Sequence, residues 1–159
     1  MKNNKIYKRF LIGASCLFLL TLTVINLSES FFNTSKSGEV KGVFEDLSQN
    51  KFANLSPLEA QKLIEQKKDD QNFVILDVRN QQETQAGYIQ NSVNLDFHSS
   101  DFEQKLDNLD KSKTYLVYCQ SGFRSQKTLQ KMKQKDFLQA YNLNGGILAW
   151  EYEDLPVEK

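Results

Sequence analysis

The chain has 159 residues, 40% of them hydrophobic and 25% charged, enough for one folded domain with an appendage but not for two domains. Its formal net charge is zero, yet Lys2, Lys5, Lys8 and Arg9 gather at one end and leave a slightly acidic body with no basic stripe. That distribution argues against nucleic acid as a partner.

The basic end is followed by FLIGASCLFLLTLTVI, residues 10–25, which carries no charge. This is the order of an export signal, and the run falls short of the ~20 apolar residues that span a bilayer comfortably. Residues 1–30 are therefore expected to be a signal peptide, cut before Phe31 after the small Ser28 and Ser30, or an uncleaved membrane anchor with its basic end in the cytoplasm. Lipidation of Cys16 is a lesser option, because the strongest apolar run lies after that cysteine. All three readings send the protein to the cell envelope, on the periplasmic side. Residues 31–51, in a stretch rich in Ser, Asn and Gly without sustained periodicity, read as a linker, and residues 52–159 as the domain.

Within that domain, Ser56-Pro57-Leu58-Glu59 combines an N-cap serine, a proline at the first helical position and a glutamate three residues after the cap. It predicts a helix to about Lys68 that buries Leu58, Leu63 and Ile64. FVILDV, residues 73–78, is a continuous apolar run with β-branched residues, the pattern of a buried parallel strand. Ser100-Asp101-Phe102-Glu103 repeats the capping-box pattern, and Phe102, Leu106 and Leu109 share one face of the helix it opens. TYLVYC, residues 114–119, is a second buried strand, with Tyr115 and Tyr118 as packing residues. A helix from Ser125 to about Lys135 follows, then a short strand in AYNLNGG and a final helix in GILAWEYE. Strands alternating with helices indicate an α/β domain with a mostly parallel sheet. Ligands of such sheets bind at the carboxyl ends of the strands, which is where Cys119 falls.

Cys119 is the only cysteine of the domain, so no intrachain disulfide can staple it. One reading is a buried structural thiol. The other is a nucleophile, because a strand–loop–helix junction with Gly122 in a tight turn aims backbone N–H groups and a helix dipole at one point. A thiolate there has a lowered pKa. Arg124 is placed to hold an oxyanion, and Ser121 and Ser125 offer hydroxyls. His98, the only histidine, lies at a distant loop position, which speaks against a Cys–His mechanism.

CQSGFRS, residues 119–125, resembles the active-site loop Cys-x-x-Gly-x-Arg of the rhodanese family of sulfurtransferases. ILDVRNQQE (75–83) is similar to the family's Asp-Val-Arg segment with a following glutamate. AGYIQNSVNL (86–95) stands where the family has Gly-His-Ile-x-Gly-Ala-x-Asn, and NGGILAW (144–150) matches its Gly-Gly-x-x-x-Trp. The four matches occur in family order across roughly residues 52–156. The resemblance implies a single rhodanese-like domain with a mostly parallel sheet sandwiched by helices. It also implies sulfur transfer through a persulfide on Cys119, with Gln120, Ser121, Gly122, Phe123, Arg124 and Ser125 surrounding the outer sulfur, and no metal or organic cofactor. Asp77 and Arg79 would brace the region, and an Arg79–Glu83 ion pair is expected; Asp77 is also within possible reach of the loop. Gly145-Gly146 and Trp150 read as a turn and a core anchor, and Phe123 as a wall of the substrate site or a cap on the pocket.

The partners implied are a small sulfane-sulfur donor, a thiol or cyanide acceptor, a protein reductant for the thiol, and the membrane if the first segment is retained. Two alternatives stand beside sulfur transfer. One is a non-catalytic binding module on the same fold. The other is a phosphatase or arsenate reductase, disfavoured because those relatives have one more residue between cysteine and arginine. Tyr88 departs from the family's histidine, Asn91-Ser92-Val93 from its Gly-Ala-Ile, and Gln120 from a frequent arginine whose loss disfavours thiosulfate as the donor.

Overall fold

The computed structural model describes residues 50–159. The expected signal or anchor segment, the Cys16 option and nearly all of the expected linker lie outside the described residues. Among the described residues, no helix is long and apolar enough to cross a membrane.

Five strands form one sheet in the order β1-β5-β4-β2-β3, where β1 is Phe52–Leu55, β2 Phe73–Asp77, β3 Val93–Asn94, β4 Thr114–Tyr118 and β5 Gln139–Leu143. Every neighbouring pair is parallel. Parallel sheets are buried on both faces, and the apolar runs of β2 and β4 are what such burial requires. Leu76, Tyr115, Val117 and Ala140 turn to one face, where Phe102, Leu106, Leu129 and Met132 cover them. Their neighbours along the strands, Ile75, Leu116, Tyr118 and Tyr141, turn the other way and are equally buried.

Helix α1, Pro57–Lys67, starts on the expected capping box: the Glu59 N–H donates to Ser56 Oγ at 3.4 Å and the Ser56 N–H to Glu59 Oε2 at 2.8 Å. Ala60 and Leu63 are its buried residues. Leu58, expected inside, is 48% exposed, because it lies about half a turn away from the Ala60–Leu63 face. A second helix, α2 (Gln81–Gln85), has its own capping box from Asn80 and Glu83. Helix α3, Phe102–Asp107, buries Phe102 and Leu106 as expected, and Leu109 beyond its end is partly buried against the same core. It does not use Ser100 as its cap. Asp101 occupies that position and makes no side-chain cap bond, its carboxylate taking Ser99 Oγ and Lys105 Nζ instead. Helix α4, Phe123–Gln134, begins two residues before the expected Ser125, and α5 spans Gly146–Tyr152. Trp150 is a core anchor whose Nε1–H donates to the Pro156 carbonyl at 3.0 Å.

Candidate active site

Three strand ends meet at Cys119. In the β2–β4 register Asp77 lies opposite Tyr118, and the Val78 N–H extends the ladder to the Tyr118 carbonyl at 2.9 Å. The segment after β2 therefore runs beside the loop after β4. Strand β5, on the other side of β4, ends at Leu143 and delivers Gly145 and Gly146 beneath the same loop.

Cys119 is 1% exposed, yet its sulfur has donors. The Gly122 N–H points to Sγ at 3.2 Å and the Ser125 hydroxyl donates to it at 3.4 Å. Burial pushes the thiol up, but the Ser125 hydroxyl and the N–H groups of Ser125, Ser121 and Gly122 outweigh it, so the Cys119 pKa lies below that of an ordinary thiol. Gly122 adopts φ +91° to turn the chain into α4, a conformation that favours glycine. No histidine contributes: His98 is exposed and packs edge-on against Phe97.

What holds the loop is the start of α5. The Ile147 N–H donates to the Cys119 carbonyl at 2.9 Å and the Leu148 N–H to the Gln120 carbonyl at 3.1 Å. These bonds satisfy two N–H groups at the helix start that no turn of α5 can serve. A Cβ on Gly146 would stand 2.4 Å from the Cys119 oxygen and 2.6 Å from the Gln120 carbonyl carbon and oxygen. Gly146→Ala is therefore expected to push the loop off α5, raise the thiol pKa toward the ~8.5 of free cysteine and destabilise the domain by about 1–3 kcal/mol. The pH dependence of iodoacetamide alkylation reads the first effect. A midpoint unchanged from wild type would mean that the α5 contact does not set the loop geometry.

Arg124 does not stand free over the sulfur. Its Nη1 donates to Glu83 Oε2 at 2.8 Å and its Nη2 to Glu83 Oε1. Arg124 holds the Glu83 carboxyl below its usual range, and Glu83 and Cys119 in turn raise the Arg124 pKa. The expected Arg79–Glu83 ion pair is not formed. Arg79 reaches only the Glu83 carbonyl, at 3.1 Å, and places Nη2 2.7 Å from Asp77 Oδ2, with Nε bridging both Asp77 oxygens. The reason is reach: Asp77 and Arg79 are both buried at one strand end, whereas the Glu83 side chain leaves α2 toward the loop. Asp77 likewise turns to Arg79 and to the Thr84 hydroxyl rather than to the cysteine loop. Arg79 lies against the Tyr118 ring, 5.4 Å from its centroid, and burial beside Asp77 pushes the Tyr118 phenol up to about 12.

The sequence reading thus places Cys119, Gly122 and Ser125 at one point, with Gln120 and Ser121 in the same turn and Phe123 projecting outward from it. It misses Glu83 as the partner of Arg124 and Gly146 as the floor of the loop. Asn80-x-x-Glu83 is a capping-box spacing that would have placed Glu83 at a helix start; the paired glycines carried the second signal. A cleft of about 530 Å³ beside α2, lined by Gln81, Thr84, Tyr88, Asn94 and Lys105 among others, does not include Cys119. Among the described residues, no group of three or more His, Cys, Asp or Glu side chains is arranged to hold a metal ion.

Residues 56–153 match the family model of the rhodanese-like domain. Thiosulfate sulfurtransferase GlpE from Coxiella burnetii is 31% identical over 100 residues, which cover 63% of this chain and 88% of that protein. The tRNA uridine(34) hydroxylase of Cytophaga hutchinsonii is 36% identical over 89 residues, but these make up only 28% of its length. The crystal structure of a rhodanese-related protein from Thermoplasma volcanium superposes with a TM-score of 0.56 at 26% identity, covering 67% of this chain and 97% of that one. With the fold, the strand-end cysteine loop and the family model in agreement, this chain belongs to the rhodanese-like domain family.

Proposed function

We propose that this protein is a sulfurtransferase that carries a sulfane sulfur as a persulfide on Cys119. The observation that carries the reading is the donor set at one sulfur: the Gly122 N–H at 3.2 Å and the Ser125 hydroxyl at 3.4 Å. A cradle of N–H and O–H donors stabilises negative charge on sulfur without a general base.

The reaction is a double displacement. The Cys119 thiolate attacks the outer sulfur of a donor R–S–SH, the donor's S–S bond breaks, and RS⁻ departs with the electron pair. The outer sulfur, now bonded to Cys119, is then attacked by an acceptor thiolate or cyanide, and the Cys119 thiolate is released. No net oxidant or reductant is consumed. Thiosulfate, persulfides and polysulfides are all donors of the required kind, and sulfite is the group that departs when thiosulfate serves. Gln120, Ser121, Gly122, Phe123, Arg124 and Ser125 form the loop around the transferred sulfur. Asp77 and Arg79 act from behind by fixing α2.

The test is intact mass spectrometry of the full chain after brief exposure to thiosulfate and, separately, to glutathione persulfide. The expected result is the gain of one sulfur atom with at least one donor, removed by cyanide. A folded chain with a titratable thiol that gains sulfur from neither donor would instead be a binding module built on the same fold.

A further inference from the structure

Residues 155–158 lie beyond the stretch 56–153 that matches the family model, yet they join α5 to the exit of α2. At one end they are fixed to α5. The Leu155 N–H donates to the Trp150 carbonyl at 3.2 Å, and the Pro156 carbonyl accepts from Trp150 Nε1 at 3.0 Å. Two residues on, Glu158 forms an antiparallel bridge with Tyr88. The Tyr88 N–H donates to the Glu158 carbonyl at 2.9 Å, and the Glu158 N–H to the Tyr88 carbonyl at 2.8 Å. Leu155 and Val157 are half-buried.

The two helices joined in this way are short. Helix α2 has five residues and α5 has seven, whereas isolated helices below ~12–15 residues are marginal in water. Contacts must hold each in place, and these contacts form a ring that passes through the cysteine loop. On one side, the Gly87 carbonyl next to Tyr88 accepts from Arg79 Nη2 at 2.7 Å, and Arg79 Nη1 donates to the Glu83 carbonyl. The Glu83 carboxylate in turn takes Arg124. On the other side, Trp150 belongs to α5, whose Ile147 and Leu148 N–H groups hold the Cys119 and Gln120 carbonyls. Residues 155–158 close the ring.

We propose that residues 155–158 are a positioning segment for Cys119. By tying α5 to the exit of α2, they keep the Gly122 N–H and the Ser125 hydroxyl aimed at the sulfur. Where sulfur transfer is concerned, the proposal rests on the sulfurtransferase reading above. Both bonds to Tyr88 are main-chain bonds, so the Glu158 N–H matters and its carboxylate does not.

Three variants of the full chain test this: Glu158→Pro, which lacks the N–H donor, Glu158→Ala, which keeps it, and a truncation after Asp154. Each is followed by the pH dependence of iodoacetamide alkylation, by sulfur loading from glutathione persulfide, and by urea denaturation. Glu158→Ala should match wild type in all three. Glu158→Pro and the truncated chain should alkylate with a midpoint moved up, toward the ~8.5 of free cysteine. A rise of about half a pH unit lowers the thiolate population about threefold below the midpoint, and loading there should slow to a similar extent. A segment that only adds packing would lower the urea midpoint and leave the alkylation midpoint of the folded protein where it was. A folded Glu158→Pro chain with the wild-type alkylation midpoint therefore overturns the proposal, as does a Glu158→Ala chain shifted as far as Glu158→Pro. Failure of wild-type Cys119 to take sulfur from any donor removes the sulfurtransferase reading instead, and the alkylation midpoints still decide the role of residues 155–158.

Discussion

Cys119→Ser is expected to abolish sulfur loading completely while leaving the domain folded. A serine hydroxyl is not ionised at neutral pH, and the same donors that lower a thiol pKa cannot bring an alcohol into range. The substitution nevertheless suits the site. The Gly122 N–H and the Ser125 hydroxyl that point at sulfur can bond an oxygen, so the new polar atom is not left unsatisfied in the core. The change in unfolding free energy should stay within about 1 kcal/mol. Mass spectrometry with the best donor and urea denaturation of the same sample check the two halves together. Sulfur retained by the serine variant and removed by cyanide would mean that Cys119 is not the carrier. Loss of sulfur accompanied by unfolding would say nothing specific about the nucleophile, which is why the denaturation curve belongs in the same experiment.

The parts of the site that were legible in the sequence are those encoded locally. Strand, cysteine, glycine and helix follow one another within residues 114–134, and hydrophobic pattern plus one turn residue suffices to place Cys119 at a strand end. The Ser56 cap was legible for the same reason, since all its partners lie within four residues. Ser100 was not, although it carries the same spacing. Ser99 and Lys105 compete for Asp101, and the chain enters α3 one residue later than the pattern suggests. Residues separated by tens of positions were harder still. Glu83 meets Arg124 only because β2 and β4 are parallel neighbours, and a pairing rule based on nearby charge assigns Glu83 to Arg79 instead. Gly146 was readable as a turn, but its contact with the Cys119 carbonyl depends on β5 lying beside β4. Sequence patterning placed Cys119 at the end of a buried strand, while strand order decided what supports its loop.

That support has its own measurable foundation at Asp77. The carboxylate accepts from the Arg79 N–H at 2.9 Å, from Arg79 Nε and Nη2 and from the Thr84 hydroxyl, and it is fully buried. Asp77→Ala leaves the Arg79 guanidinium 2% exposed, with the Glu83 and Gly87 carbonyls and the Tyr118 ring as its remaining partners. Those groups carry no net charge, so a buried cation is left uncompensated. The expected loss is about 3–5 kcal/mol, a large share of the roughly 5–15 kcal/mol that holds a domain together. A lower urea midpoint should report it. Replacing both partners with apolar residues, Asp77→Leu with Arg79→Met, removes the charges together and should cost less than Asp77→Ala alone. The consequence extends to the chemistry, because Arg79 also anchors α2 through the Glu83 carbonyl, and α2 carries the side chain that holds Arg124. If Asp77→Ala remains folded at low temperature, its loading rate should fall along with its stability. A loss below about 1 kcal/mol would mean that water or relaxation compensates the stranded guanidinium, and that the ion pair is not what fixes α2 against the cysteine loop.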